Sequence, residues 1–348
     1  MRRAFAAFRR SAVYALDTKP YRQGALAPPQ EKYAAAFGAA RDIDPEGLGH
    51  DAARLFFENW FRPFDVLADG PDTDPLSGKV TAFYEPIIQA GRTSSARYRY
   101  PFLRKPAQLC KIEDPDNPPN GIEPGFAFAV DAGNDSRETC PDRRAIENGA
   151  FDGLGLEIAW VEDKADAFFA HVQGSARLDF GSGEVARITY AAKSGHPFTG
   201  IGRLLVARGE IPASEISMQS IRRWLQDHPL QSDELIWENQ SYIFFDEVPV
   251  PDHNLGPVAA AKVPLEPGRS MAVDRLLHSF GTPFFVHAPQ LKDFDDDKPF
   301  ARLMIAQDTG SAIVGSARGD LFTGSGDYAG ELAGAVNAVA RFTVLLPR

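Results

Sequence analysis

Within the first 65 residues, apolar side chains recur at helical spacing. Residues 31–41 form an alanine-rich run, and residues 51–61 place large apolar side chains on one helical face until Pro63 interrupts them. This pattern predicts an α-helical opening to the chain.

From residue 79 onward the pattern changes to short runs of β-branched and aromatic residues, separated by glycine and proline. One helix interrupts these runs, because Ser217 can cap an amphipathic segment that Pro229 is expected to end. A proline-rich connector follows at 248–257, and a short helix is predicted near 331–340. The predicted strands cover residues 79–84, 98–102, 156–161, 185–190, 241–245, 284–287, 303–306 and 342–346.

Length and composition favour two domains that are rich in strands. A chain of 348 residues exceeds what one hydrophobic core usually supports. Its 30 glycines and 27 prolines indicate many short elements joined by turns. The net charge of −10 argues against a large phosphate-binding surface, so nucleic acid is not an expected partner.

Neither a membrane span nor an export signal is visible. No segment has the roughly 18 uninterrupted apolar residues of a span, and the apolar run 4–8 is too short for the core of a signal peptide. The protein therefore either stays inside the cell or has lost a leader. Cys110 and Cys140 are too few for a disulfide framework; two free thiols are favoured, and a single bridge stays open.

Several common catalytic motifs are absent or incomplete. Gly324, Gly326 and Ala329 match a dinucleotide fingerprint, but only 18 residues follow Gly330, too few for the rest of that fold. The chain has no GxSxG elbow, and its seven histidines include no HExxH pair. We therefore predict no metal and no cofactor, and His196 is interpreted first as a residue with a turn or hydrogen-bonding role.

Three carboxylates near the C-terminus are the strongest candidates for chemistry. Asp308, Asp320 and Asp327 lie among glycines at predicted junctions of strand and turn. Each could simply brace its own turn. Carboxyl groups are also the side chains that supply acid and base for cleavage of a glycosidic bond.

Longer motifs connect these acids with the rest of the chain from about Lys79 onward. They are Thr81-Ala-Phe-Tyr-Glu-Pro86; Val172-Gln-Gly-Ser175 with Ser194-Gly-His-Pro197 and Ile201-Gly-Arg-Leu204; Ser217-Met-Gln-Ser-Ile221 with Asn239-Gln-Ser-Tyr-Ile-Phe-Phe245; and Pro267-Gly-Arg-Ser-Met-Ala-Val-Asp274 with Ala306-Gln-Asp-Thr-Gly310 and Arg318-Gly-Asp-Leu-Phe322. In composition and order they resemble the membrane-bound lytic murein transglycosylase A family.

The resemblance implies one catalytic aspartate and a set of sugar-binding residues. The family's three aspartates match Asp274, Asp308 and Asp320, and its catalytic acid matches Asp320. Ala176 and Phe198 depart from the glycine and tyrosine that the family often has, and the lipid-attachment cysteine is absent. The residues expected to contact the glycan are Tyr84, Glu85, Gln173, Gly174, Ser175, His196, Asp308 and Asp327.

The fold implied by the resemblance is α+β and mainly β. Residues 1–86 and 246–348 would form a main domain around a double-psi β-barrel that carries the catalytic aspartate. Residues 87–245 would form a smaller inserted β-domain, with a groove for the glycan strand between the two.

The implied activity is that of a lytic exotransglycosylase, which cleaves the β-1,4 bond between N-acetylmuramic acid and N-acetylglucosamine and leaves 1,6-anhydromuramic acid ends. A single aspartate would act as acid and then as base. A non-catalytic peptidoglycan-binding or scaffold protein and a hydrolytic muramidase stay open as alternatives. The resemblance further implies a monomer in the periplasm, associated with the outer membrane, whose partners are peptidoglycan strands and other cell-wall enzymes.

Overall fold

The computed structural model describes residues 1–69, 74–134, 136–294 and 297–348. The chain forms two compact units, Met1–Glu85 with Asp252–Arg348 and, between them, Pro86–Pro251. The chain therefore returns to the first unit after strand β11, whereas the predicted boundary at 245/246 falls inside that strand.

The helices and strands are numbered along the chain. The helices are α1 (Arg2–Asp17), a 3₁₀-helix (Gln30–Tyr33), α2 (Ala34–Arg41), α3 (His50–Trp60), α4 (Arg143–Glu147), α5 (Lys164–Gln173), α6 (Ile201–Ala207), α7 (Met218–Asp227), α8 (Pro229–Trp237) and α9 (Asp327–Gly334). The strands are β1 (Phe61–Asp65), β2 (Gly78–Glu85), β3 (Ile87–Gly91), β4 (Tyr100–Leu103), β5 (Leu109–Lys111), β6 (Phe128–Gly133), β7 (Ser136–Glu138), β8 (Glu157–Val161), β9 (Ser175–Asp179), β10 (Val185–Lys193), β11 (Ile243–Val248), β12 (Ser270–Val273), β13 (Pro283–Ala288), β14 (Phe300–Asp308), β15 (Arg318–Ser325) and β16 (Asn337–Pro347). Among the described residues, no helix has both the length and the hydropathy needed to cross a membrane.

Six strands of the first unit close into a barrel. The strands pair in the order β2, β16, β13, β14, β12 and β15, and β15 pairs again with β2. The pairs β12–β14 and β15–β2 are parallel, whereas the others are antiparallel. Val80, Met271, Phe284, Met304 and Leu321 form part of the barrel's apolar core. The closed barrel in an α+β chain confirms the expected fold class.

Strand β16 closes the barrel because it is long enough to pair with three other strands. Residues 337–340 pair with β2, residues 341–344 pair with β13, and residues 343–347 pair with β1. The predicted helix near 331–340 is therefore wrong in its second half, since α9 ends at Gly334. Backbone pairing on both edges of β16 outweighs the helical preference of its alanines.

The N-terminal helix α1 is fixed to the barrel by buried polar contacts. Gln307 of β14 donates from Nε2 to the carbonyl of Ala7 and to the hydroxyl of Ser11, both at 2.8 Å. Glu266 accepts an ion-paired hydrogen bond from Arg10 at 2.7 Å. Because buried polar groups need such partners, these contacts hold α1 against β14 and against the segment that precedes β12.

The second unit contains a six-stranded and a three-stranded sheet. The larger sheet has the strand order β11-β10-β9-β3-β8-β4, and the smaller has the order β5-β6-β7. Ile88, Phe102, Leu178 and Ile188 belong to the core of the larger sheet, and Trp224 belongs to a separate helical core. This unit holds more helix than the sequence pattern predicted, because Pro229 begins α8 rather than only ending the helix before it.

Both cysteines are free, as the sequence favoured. Cys110 pairs in the small sheet with Ala129, whereas Cys140 packs in a different core, beside Leu109. Burial raises the pKa of the Cys140 thiol to about 12. That thiol therefore stays protonated and unreactive near neutral pH.

Replacing Phe8 tests the packing of the helical layer. The ring of Phe8 is fully buried and contacts four other phenylalanines from α2, α3 and β1. Phe8→Ala should lower the free energy of unfolding by about 3–5 kcal/mol, measured by urea denaturation. Phe64→Ala is the matched control because Phe64 is 51% exposed, and a similar loss in both variants would contradict the packing described.

Candidate functional site

Five strands of the barrel bring a row of residues side by side. Asp308 of β14 pairs with Ala272 of β12, and Ala272 pairs in turn with Asp320 of β15. On its other side Asp320 pairs with Thr81 of β2, which pairs with Asn337 of β16. Paired residues have Cβ atoms roughly 5 Å apart, so two acids are separated by one small residue.

The three candidate acids do not share the predicted position at a junction of strand and turn. Asp308 is the last residue of β14 and fits that prediction. Asp320 lies inside β15, and Asp327 is the first residue of α9. Asp320 is therefore held by strand pairing on both sides, which fixes its carboxyl group more firmly than a turn would.

One polar side chain holds the Asp320 carboxyl group directly, and a second holds the first. Thr81 donates a short hydrogen bond from Oγ1 to Oδ1 of Asp320. Arg318, two residues before Asp320 on the same strand, donates from Nη2 to Oγ1 of Thr81 at 2.7 Å. Its other terminal nitrogen donates to the carbonyl of Gly319, which holds the guanidinium in place.

Opposing effects set the proton affinity of Asp320. Burial is the largest and raises the pKa of its carboxyl group, because a charge loses water there. The hydrogen bond from Thr81 and the charge of Arg318 lower it, though by less than burial raises it. The net pKa lies above the ordinary value for aspartate, so Asp320 holds its proton at a pH where an exposed aspartate has lost it.

Asp308 is shifted in the same direction. Burial raises the pKa of its carboxyl group to about 6, against the effect of backbone hydrogen bonds from Thr309 and Ala260. The Ala260 amide donates to Oδ1 of Asp308 at 3.2 Å. The negative charge of Asp320 adds to the rise, which couples the two acids.

A tight turn delivers the Ala260 amide to Asp308. The amide of Lys262 donates back to the carbonyl of Ala259 at 2.8 Å, and Lys262 adopts a φ of 60°, which is unusual for a residue with a side chain. The hydroxyl of Tyr21 donates to the carbonyl of Ala261 at 2.8 Å. The surroundings thus hold the turn in a strained conformation, as at many functional sites.

Asp274, the third aspartate of the resemblance, braces two loops. Its Oδ1 accepts from the amide of Leu276 and its Oδ2 accepts from the amide of Gly315, both at 3.0 Å. The second bond fixes the loop that leads into β15. Asp274 therefore supports the strand of Asp320 through the backbone.

Tyr84, Glu85 and Asp327 lie around the start of α9. Glu85 is fully buried, and Ser325 donates from Oγ to Oε2 of Glu85 at 2.6 Å. The ring of Tyr84 packs against Gly330, where an added Cβ would lie 2.8 Å from the ring. Their predicted contact with a glycan stays a prediction.

The predicted Gln173-Gly174-Ser175 motif spans the end of α5 and the start of β9. Gln173 is the last residue of the helix, and Gly174 ends it with a φ of 77°, a left-handed conformation that glycine adopts without strain. Ser175 follows as the buried first residue of β9 and pairs with Thr189. These three residues adjoin each other in the second unit, and their role in sugar binding stays a prediction.

His196 has the hydrogen-bonding role that its sequence setting favoured. Its Nε2 lies 2.7 Å from the carbonyl of Cys140, and a carbonyl only accepts, so Nε2 carries the proton. The ring also meets Phe126 edge to face, with ring centroids 5.2 Å apart. Its predicted role in glycan binding stays a prediction.

Thr81 and Arg318 contact the candidate acid or its partner, yet the sequence did not single them out. Both lie inside the quoted motifs, as the first residues of Thr81–Pro86 and Arg318–Phe322. Only the register that pairs Thr81 with Asp320 brings them together. The available signal was that each begins a quoted motif, and that Arg318 stands in the same motif as Asp320.

Comparison with known proteins places both units in one family. The family model described as the MltA specific insert domain matches residues 79–246, and the 3D domain model matches residues 269–346. The crystal structure of a membrane-bound lytic murein transglycosylase from Agrobacterium tumefaciens is 50% identical, with a TM-score of 0.88, and the match covers 99% of this chain and 92% of that chain.

Two further relatives are from Escherichia coli. The crystal structure of MltA with bound chitohexaose is 26% identical, with a TM-score of 0.70 over 99% of this chain and 90% of that chain. Membrane-bound lytic murein transglycosylase A of strain K12 is 32% identical over 273 residues, which cover 76% of this chain and 64% of the relative. The chain thus spans less than two thirds of the length of that curated relative.

Asparagine at position 308 should change how stability depends on pH. The unfolded chain releases this proton near a pKa of about 3.9, whereas the folded chain releases it near about 6. The stability that proton binding supplies is therefore present below about pH 4 and lost as the pH rises through about 6. Since asparagine does not ionise, Asp308→Asn should be more stable than the parent at pH 8, by on the order of 2 kcal/mol.

Urea unfolding of both proteins across this pH range measures the difference. The gap should close towards pH 4, and Asp327→Asn, the same change at an exposed aspartate, supplies the reference curve. A constant gap between parent and Asp308→Asn at every pH would contradict the raised pKa.

Proposed function

The chain belongs to the membrane-bound lytic murein transglycosylase A family, and from this we propose that it cleaves the β-1,4 bond between N-acetylmuramic acid and N-acetylglucosamine in peptidoglycan, leaving 1,6-anhydromuramic acid ends. The observation that carries the proposal is Asp320, a carboxyl group with a raised pKa on a strand that is paired on both sides. The chitohexaose bound in the Escherichia coli relative supports a glycan strand as the ligand class.

In the first step, protonated Asp320 donates its proton to the oxygen that leaves the anomeric carbon of N-acetylmuramic acid. The bond between that carbon and the leaving oxygen breaks, and positive charge develops on the sugar ring. General acid catalysis requires a group that still holds its proton at the working pH. The raised pKa of Asp320 works towards this requirement, because it moves the loss of the proton to higher pH.

In the second step, the sugar's own 6-hydroxyl attacks the anomeric carbon and gives up its proton to the Asp320 carboxylate. Asp320 then regains the proton it donated, so the cycle closes without a second catalytic acid. Intramolecular attack has a high effective molarity, which favours it over attack by water. The remaining predicted glycan-binding residues, among them Gln173 and Ser175, would hold the strand in register for this attack.

Asp308 is assigned an orienting and electrostatic role. It lies two strands away from Asp320, across β12, and the charge of Asp320 raises its pKa. When ionised, it would favour the positive charge that develops on the sugar ring.

A hydrolytic muramidase is the second candidate, because the same observation also supports it. A second carboxylate beside the acid could activate water, as in ordinary glycosidases. The two functions predict different products from cleavage of the same bond. Labelling with heavy oxygen distinguishes these products.

The relatives are named membrane-bound, and on that basis we propose that the protein works in the cell envelope, where its substrate lies. A periplasmic position at the outer membrane is the corresponding detailed proposal.

Asp320→Asn should retain the fold and lose nearly all lytic activity. An amide is nearly isosteric with a carboxyl group, but it cannot donate a proton and then accept one. Release of soluble fragments from purified peptidoglycan measures the loss, with circular dichroism as the check on folding. Asp51→Asn, a change at a helical aspartate whose side chain is 96% exposed, is the matched control and should retain most activity, while a well-folded Asp320→Asn that keeps near-parental activity would remove Asp320 from its role.

Digestion in water enriched in heavy oxygen should leave the new ends unlabelled. Attack by the sugar's 6-hydroxyl takes no oxygen from the solvent, whereas hydrolysis adds one solvent oxygen to each new end. Mass spectrometry of the released muropeptides distinguishes the two, and lysozyme digestion in the same water supplies the labelled reference. Label at most new ends would establish the muramidase instead.

A further inference from the structure

On the basis of the function proposed above, we propose that Thr81 and Arg318 are positioning residues that determine which oxygen of Asp320 handles the catalytic proton. They act as a directed chain of hydrogen bonds, from the guanidinium to the hydroxyl and from the hydroxyl to the carboxyl group.

The direction of the chain follows from the number of protons on each group. The guanidinium nitrogens of Arg318 only donate, so Thr81 Oγ1 must accept at that contact. A hydroxyl has a single proton, and the bond from Arg318 occupies one of its lone pairs. The contact between Thr81 and Asp320 therefore has the hydroxyl as donor and Oδ1 as acceptor.

This direction makes the two oxygens of Asp320 unequal. Oδ1 already accepts a hydrogen bond in both protonation states, so the acidic proton resides on Oδ2. Oδ2 is then the oxygen that would donate to the leaving group and later accept from the 6-hydroxyl. Without a fixed donor at Oδ1, the proton could occupy either oxygen, and the acid would face the substrate correctly only part of the time.

The barrel holds this chain rigidly. Thr81 pairs with Asp320 and Lys79 pairs with Arg318 on the adjacent strands β2 and β15, so both donors are fixed by the same register. Arg318 is further held through its bond to the Gly319 carbonyl.

Two charged groups act on Asp320 directly and must be kept constant in any pH experiment. Arg318 lies on its own strand, and Asp308 lies across β12. Asp274 and Glu85 are engaged with backbone amides and with Ser325. The other charged side chains on elements packed against β15 are Lys79 on β2 and Asp327 and Glu331 on α9.

Thr323 supplies a matched control for loss of a threonine from this part of the barrel. It lies on β15, three residues after Asp320. Its hydroxyl is within hydrogen-bond distance of two backbone carbonyls, those of Phe83 at 3.0 Å and Ala329 at 2.8 Å, which share its single proton. Thr323→Val therefore removes a hydroxyl of the same kind without touching the Arg318–Thr81–Asp320 chain.

The first experiment compares Thr81→Val, Thr81→Ser and Thr323→Val by kcat/KM on a soluble peptidoglycan glycan across about pH 4 to 9. Thr81→Val should lower kcat/KM by about tenfold or more, as expected for one hydrogen bond to a charged group. Its alkaline limb should move to higher pH, because the carboxylate loses a donor and holds its proton more tightly. Thr81→Ser should restore both properties, and Thr323→Val should leave the profile unmoved.

The second experiment tests whether Arg318 acts through Thr81. Arg318→Lys keeps the positive charge but cannot supply the same pair of fixed donors. It should lower kcat/KM in the parent, and the effect should largely disappear in the Thr81→Val background, since the group it acts on is absent. Equal effects in both backgrounds would refute the directed chain.

Failure of this inference is distinguishable from failure of the proposed function. If Asp320→Asn is inactive while Thr81→Val keeps the parental pH profile, the acid assignment stands and the positioning role is wrong. If Asp320→Asn is active, the proposed function itself fails. Unfolding midpoints accompany every variant, and Thr81→Ala replaces Thr81→Val should the latter not fold.

Discussion

Closure of the six-stranded barrel is the constraint on which the candidate chemistry depends. β15 is paired with β12 on one side and β2 on the other. Along the chain, β2 precedes the second unit and β12 follows it. A slip of one residue would exchange Asp320 with Leu321, which now belongs to the barrel core. Burial of that core therefore determines which face of β15 carries the Asp320 side chain. Strand β16 maintains the closure of the barrel by pairing with β2 and β13.

The energetics of the site are a balance between desolvation and hydrogen bonding. A hydrogen bond to a charged group contributes roughly 1.5–3 kcal/mol. The bond from Thr81 therefore offsets part of the rise that burial causes in the pKa of Asp320. A group that must first donate and then accept a proton needs such a balance, because a fully desolvated acid would be a poor donor and a fully solvated one would already be ionised.

The sequence predicted elements better than it predicted contacts. Short runs rich in β-branched, aromatic and other apolar residues located strands such as those at 185–190 and 303–306; the second run is apolar and buried at all four positions. The helix predicted through residue 340 was wrong beyond α9, since the pairing of β16 is a tertiary effect that local propensity does not contain. For the same reason the motifs pointed to Asp320 but not to its contact with Thr81, which is 239 residues away along the chain.

Coupling between Asp308 and Asp320 gives the pair a shared protonation state that neither residue has alone. The charge of one carboxylate raises the proton affinity of the other, so their ionisations belong to the pair. Between the two ionisations the pair holds one proton and one negative charge. The cleavage proposed above uses the form in which Asp320 holds the proton for the leaving oxygen and Asp308 carries the charge near the developing positive charge. A glycan that excludes water over these carboxyl groups would strengthen this coupling, because the same charges interact more strongly where the effective dielectric constant is lower.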